Sequence, residues 1–271
     1  MKLSLMLALV PRLCLGILSS PTFYLLPTSA KPSSEVWATT EKPIFFPNHR
    51  LKEEKEPDFS STGRPSRRES GGSRDGCPEV AKKLTALVPI TKSEAGTEYS
   101  LSKTTVEYPT FWFYTPYQLS SQHPVEFILL DDREHQIYTT KKLIVPSTLP
   151  GVISIHPTSV PLEIGKNYEW YFYVYCNPEN PSDHVVVNGS VKRIALNSQQ
   201  KNQLNAANIQ EKVALYRQAD IWYEALTIVG EQLRVNPQDG AIKTEWAKLL
   251  TEIQLGAIAT EPLQQELKLK K

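Results

Sequence analysis

Tyr168-Glu169-Trp170-Tyr171-Phe172-Tyr173-Val174-Tyr175-Cys176 is the stretch that decides the fold class. Side chains of an extended chain alternate between two faces. On that period Tyr168, Trp170, Phe172, Val174 and Cys176 share one side, while Glu169, Tyr171, Tyr173 and Tyr175 share the other. So aromatic a run suits a pleated strand. The even set predicts a core face, and the three tyrosines an outward row.

The same period governs the chain from about Thr97 to Leu196. Residues 110–117, Thr-Phe-Trp-Phe-Tyr-Thr-Pro-Tyr, read as a strand. Residues 125–130 and 137–145 flank the polar turn Asp131-Asp132-Arg133-Glu134 and predict a hairpin. Val152 to His156 follows Pro150-Gly151 as another short strand. His184 to Ile194 contains the hairpin signal Asn188-Gly189, yet Val185, Val187 and Val191 stay in phase across it. One long strand, bulged at Gly189, is therefore expected. About seven short strands in 100 residues predict an antiparallel β-sandwich over 77–196. Leu162-x-x-Gly165-x-x-Tyr168 resembles the tyrosine corner of immunoglobulin- and fibronectin-like sandwiches, which gives Tyr168 a structural role.

From Ser198 the period becomes helical. Ile209, Val213 and Tyr216 form one stripe, and Trp222, Leu226, Val229 and Leu233 a second. Asn236-Pro237 ends that helix, Asp239 can cap the next, and Ile242, Trp246, Leu249 and Ile253 continue it. The stretch from Leu215 to Pro237 resembles one tetratricopeptide-type helical hairpin. The whole is thus mainly β, with an α-helical C-terminal region over 197–271.

The N-terminus reads as an export leader. Lys2 and Arg12 precede an apolar stretch, Leu13 to Leu26, and the small residues Thr28-Ser29-Ala30, so a signal peptide over 1–30 is expected. An uncleaved anchor is the alternative, although Pro21 interrupts the run. Loss of residues 1–30 leaves 28 basic against 29 acidic side chains, a balance that gives no reason to expect nucleic acid as a partner. It also removes Cys14. Cys77 and Cys176 then remain, and an oxidising compartment favours one disulfide between them over two free thiols. Residues 31–76 hold 17 charged side chains and 16 Pro, Gly or Ser, which predicts a disordered linker. Arg64, Arg67, Arg68 and Arg74 near its end are candidate contacts for an anion, with a solvated tether as the alternative.

Several blocks together resemble one family. They are Arg68-Glu69-Ser70-Gly71-Gly72-Ser73-Arg74, Cys77, Leu84-Thr85-Ala86-Leu87-Val88-Pro89, Pro109-Thr110-Phe111-Trp112-Phe113-Tyr114, and Trp170 to Cys176. The family is the cyanobacterial one called domain of unknown function 928. The resemblance implies an exported protein with this sandwich-plus-helices layout and implies no activity, although Glu69 and Ser70 stand where the family is richer in glycine.

The candidate chemistry is sparse. Asp131, Asp132, Glu134 and His135 share one turn, and Asp183 precedes His184, so a hydrolytic enzyme built on these loops is the alternative reading. His123, His135, His156 and His184 match no metal-ligand spacing, and neither a metal nor a cofactor is expected. The favoured reading is a non-catalytic binding or scaffold module of the cell envelope, periplasmic or extracellular, with no membrane span after cleavage. Its candidate surface is Tyr171, Tyr173 and Tyr175, with Trp112 and Tyr114 beside them, facing an envelope polysaccharide or another envelope protein. Burial of that row under the C-terminal helices is the competing expectation.

Overall fold

The computed structural model describes residues 65–71, 76–141, 143, 145 and 147–268. The expected leader 1–30, most of the expected linker, and Arg64 and Arg74 lie outside the described residues. The described chain is mostly β, with several antiparallel sheets followed by four helices.

Three two-residue strands come first: β1 Thr85–Ala86, β2 Thr91–Lys92 and β3 Glu98–Tyr99. Seven longer ones follow: β4 Leu101–Thr104, β5 Phe111–Thr115, β6 Val125–Leu130, β7 Gln136–Thr139, β8 Gly151–Ile155, β9 Asn167–Tyr175 and β10 His184–Arg193. A five-stranded sheet runs β4-β10-β9-β6-β7, and a three-stranded sheet runs β1-β5-β8. The ladder is not wholly antiparallel as expected. β4 pairs parallel with β10, Leu101 opposite Ser190, because five strands intervene between them and no tight turn joins them.

The alternation in β9 holds. Trp170, Phe172 and Val174 are fully buried and face the other sheet, where Phe113 stacks on Phe172 at 4.3 Å and Phe111 tilts against Phe127 at 4.9 Å. β10 is one strand, and its register runs unbroken through Gly189 opposite Trp170, with no bulge. A Cβ on Gly189 would lie 2.5 Å from the Trp170 ring, so the glycine makes room for the indole instead of turning the chain. Ahead of β9, the Tyr168 hydroxyl accepts the Glu163 N–H at 2.8 Å and pins the approach to the strand.

The helices are α1 Ser198–Ala206, α2 Ile209–Gln218, α3 Trp222–Val235 and α4 Gly240–Glu252. Asn197 and Asn208 close capping boxes on α1 and α2, and Asp239 caps α4. The last strand ends at Arg193 and the first cap is Asn197, yet one hydrophobic core runs through both sheets and into α2, α3 and α4.

β5 shows why. All five of its residues are buried. Phe111 and Phe113 point between the sheets, and Trp112 points the opposite way, into the helices. The Trp112 indole donates to Thr227 Oγ1 at 3.0 Å, meets Trp246 edge-on at 5.8 Å and lies 4.8 Å beneath the Arg234 guanidinium. α3 also enters the open end of the core. Tyr223 packs on Phe111 at 5.3 Å and its hydroxyl accepts from Trp170 Nε1 at 2.9 Å, while Trp222 Nε1 donates to the Leu87 carbonyl at 2.7 Å.

Part of the expected linker is built into the fold. The Ser66 N–H donates to the Glu98 carbonyl, Arg67 exchanges backbone bonds with Asn188, and Ser70 donates to Leu84. Residues 65–70 thus cross from the edge of one sheet to the edge of the other, because their backbone groups find free strand edges there. The C-terminal segment covers the opposite edge, with Leu263 and Leu267 bridging Val152 and Ile155. Cys77 and Cys176 form a disulfide across a sequence separation of 99 residues.

Two stability outcomes follow from these contacts. A Cβ on Gly230 would lie 2.5 Å from the Trp112 ring. Gly→Ala in an open helix gains up to about 1 kcal/mol, but overpacking a fixed core ring costs about 1–3 kcal/mol. Gly230→Ala should therefore lose stability in urea denaturation, and a gain would show that the indole yields. Cys176→Ser should lose about 4–5 kcal/mol, the loop-closure entropy of a cross-link this long, read as a lower denaturation midpoint than that of the oxidised wild type.

Candidate functional site

Tyr171, Tyr173 and Tyr175 project from the outer face of the five-stranded sheet, opposite to Trp170 and Phe172. The helices do not cover them. They pack on Trp112, beyond the three-stranded sheet, so the expectation that the helices bury the row is not met. The rings form a ladder, with centroids 6.3 and 6.2 Å apart and planes within 19° and 17° of parallel. His184 stands edge-on to Tyr173 and Tyr175. Tyr173 therefore has a near-parallel neighbour on each side. Tyr175 is 8 % exposed and donates to Glu126 Oε2 at 2.5 Å; burial, then this bond, pushes its phenol well above the ordinary range.

Trp112 and Tyr114 are not beside the tyrosines. They lie on the other sheet, 2 % and 5 % exposed, because β5 is covered on both sides, and Trp112 meets the helices. Arg68 is not an anion contact either. It is buried and donates through Nη1 to the Ile253 carbonyl at 2.7 Å, tying the 65–70 segment to the end of α4. Arg67 is exposed, and its N–H also meets Asn188 Oδ1 at 3.0 Å.

The loop carboxylates serve their own turns. Asp131 Oδ1 accepts the N–H groups of Arg133 and His135, and Oδ2 lies 3.3 Å from His135 Nδ1. The backbone bond from His135 is the largest influence holding Asp131 below the usual carboxylate range, so the group is a turn anchor and a weak base. Asp183 Oδ2 lies 3.4 Å from Asn177 Nδ2, and the His184 ring meets the Pro181 carbonyl at 2.9 Å. Among the described residues no three His, Cys, Asp or Glu side chains gather as a metal site, and no helix is long and apolar enough to cross a membrane.

A different place gathers polar groups. A cleft of about 670 Å³ opens between residues 106–110, His156 and Arg193 on the β side and Tyr216, Tyr223, Glu224, Thr227 and Ile228 on α2 and α3. Glu224, in the first turn of α3, is 8 % exposed. Its Oε1 accepts from the Thr104 hydroxyl at 3.0 Å, the Thr105 N–H at 2.5 Å, the Thr105 hydroxyl at 2.7 Å and the Val106 N–H at 3.2 Å. Its Oε2 is buried with no hydrogen-bond partner among the described residues. Burial dominates these bonds and raises the carboxyl above its ordinary value of 4.5. Tyr216 is raised as well, by burial and then by Glu224. Arg193 donates to the Leu162 carbonyl at 2.5 Å and to Glu107 at 3.3 Å, and its Nε is buried without a partner among the described residues. His156 Nδ1 and the Thr110 hydroxyl are 3.1 Å apart.

Of these residues, the sequence points to chemistry only at His156, as one of four histidines that match no metal-ligand spacing. Glu224 carried a signal of its own: a lone acid inside Trp222-Tyr223-Glu224-Ala225-Leu226, where every other residue is apolar. The cleft itself is invisible in the sequence, because residues 106–110 and 216–228 meet only in the fold.

The model of a family described as Domain of Unknown Function (DUF928) matches residues 69–263. That range takes in both sheets, the four helices and every residue of the cleft. A comparison with curated proteins finds no match.

Glu224 sets a pH dependence of stability. Its folded value lies above its unfolded one, so between the two the folded state binds the extra proton. That stabilisation is complete below about pH 4.5 and is lost as pH rises through the folded value. Glu224→Gln keeps the acceptor and supplies an amide donor without a charge. Melting temperatures measured from pH 4 to 8 should show the wild type falling relative to Glu224→Gln as pH rises; parallel curves would mean the carboxyl is ionised throughout.

Proposed function

The chain belongs to the DUF928 family, and from that premise we propose that it is an exported cell-envelope protein acting as a non-catalytic binding module, with the cleft beside Glu224 as its ligand site. One observation carries the reading. The cleft of about 670 Å³ lies between the β layer and the helices and gathers Tyr108, Thr110, His156 and Arg193 from one side and Tyr216, Glu224 and Thr227 from the other. Apolar and aromatic walls with a few convergent polar groups are the ordinary form of a small-ligand site. The volume falls within the ordinary range for small-ligand pockets.

Export is supported by the basic, apolar and small-residue order of residues 1–30 and by the Cys77–Cys176 bridge, which an oxidising compartment maintains. On this reading the two facing sheets are an immunoglobulin- or fibronectin-like sandwich, with the Tyr168–Glu163 bond as its corner, and α2–α3 is a tetratricopeptide-type hairpin.

The test is a two-dimensional NMR titration of the oxidised chain with envelope-derived fragments of several classes: sugars, short peptides, polyamines and phosphates. The expected outcome is that one class moves resonances of Tyr108, Thr110, His156, Tyr216 and Thr227 and is recovered chemically unchanged. Turnover of a fragment, abolished by Asp131→Asn, would overturn the binding reading in favour of an enzyme. Silence of the cleft toward every class would overturn it as well.

A further inference from the structure

The outer face of the five-stranded sheet is unlike a solvated one. An antiparallel sheet with water on one side places polar residues there. Here the register carries Asn188, Tyr171 and Ile128 across the sheet in one row, and Val186, Tyr173 and Glu126 in the next. Four of those six side chains are aromatic or aliphatic and half-buried, and no helix among the described residues packs on them. An apolar patch on this scale marks a surface made to be covered.

Two observations name the cover. The first is where the described chain begins. Asn188, on this face beside Tyr171, donates through Nδ2 to the Pro65 carbonyl at 3.4 Å, and its Oδ1 accepts the Arg67 N–H at 3.0 Å. The chain before residue 65 therefore joins the fold at the rim of the tyrosine face. The second is what that chain contains. Pro43-Ile44-Phe45-Phe46-Pro47-Asn48-His49-Arg50-Leu51-Lys52 sets three consecutive large apolar residues, and two bases with no acid, in a linker otherwise rich in charge. The face carries the carboxylates of Glu126 and Glu169, with Lys192 farther along, opposite Asn167.

The tether is long enough. Between Phe46 and Pro65 lie 18 residues, 47–64. As a flexible chain they span about 25 Å root-mean-square, against ring spacings of 6.3 and 6.2 Å along the tyrosine row. Such a tether holds its segment at an effective concentration in the millimolar range. A contact too weak to form between separate molecules then forms within one.

We propose that residues 43–52 of this chain dock on the outer face of its own five-stranded sheet. Ile44, Phe45 and Phe46 lie over Tyr171, Tyr173, Val186 and Ile128, and Arg50 and Lys52 turn toward Glu126 and Glu169. The cleft beside Glu224 takes no part in this contact. An envelope polymer or partner protein that reaches the tyrosine row has to displace the chain's own segment.

The test compares the full oxidised chain with its Phe45→Ser/Phe46→Ser variant by two-dimensional NMR at several protein concentrations. Both changes lie outside the described core, whose resonances report that the fold is kept. Signals of Ile128, Tyr171, Tyr173 and Val186 should move in the variant by the same amount at every concentration, while those of Tyr108 and His156 at the cleft stay. A synthetic peptide of residues 43–52, titrated into the variant, should bring the face signals back saturably. Arg50→Glu/Lys52→Glu in that peptide should weaken its binding about fivefold at low salt, the size of two exposed ion pairs. Face signals that are identical in the variant and the wild type would overturn the proposal. Shifts that grow with protein concentration would overturn it in favour of a second copy as the occupant. A peptide that moves the cleft and leaves the face still would also defeat it.

Discussion

β5 is buried on both faces, and the rest of the molecule is arranged around that constraint. A strand that reads Phe-Trp-Phe-Tyr has no polar face to give to water, so both sides require partners. The phenylalanines find theirs in the opposing sheet, at Trp170 and Phe172. Trp112 finds its partner in the helices, and the fit depends on Gly230, where the absence of a side chain brings the α3 backbone close to the indole. The helices are thus a third layer of one core. Large aromatic side chains dominate such cores because each removes so much apolar area from water.

The site is a by-product of how that third layer is attached. α3 enters end-on, with Trp222 and Tyr223 inserted into the core, and this carries Glu224 to the loop after β4. The four donors on Oε1 come from Thr104, Thr105 and Val106, so the carboxyl holds that loop to the helix start. One oxygen fastens the architecture, and the other is buried without a hydrogen-bond partner among the described residues.

Legibility in the sequence tracked the range of the interactions. Strand alternation in β9, the single strand through Asn188-Gly189, the Asp131 turn and the Asp239 cap are local patterns, and each can be read from neighbours within a few residues. The parallel pairing of β4 with β10 and the burial of Arg68 depend on partners about 90 and 185 residues away. Trp112 was misread for a related reason. Alternation places it opposite Phe111 and Phe113 but cannot say whether water or a helix lies there. In the linker, composition argued for disorder and was outweighed over residues 65–70 by free strand edges that composition does not register.

The segment 65–70 and the disulfide behind it give the molecule a mechanical character. Tension applied through the N-terminal side meets first the backbone bonds of Ser66, Arg67 and Ser70, which span the edges of two different sheets. Should those peel away, the load arrives at Cys77 and passes through sulfur directly to Cys176, at the end of β9. The chain between the two cysteines, which holds β1 to β9, is shunted out of the force path. A pull from that end can lengthen the tether by only a few residues before the load reaches the sulfur bridge and passes on to β10 and the helices.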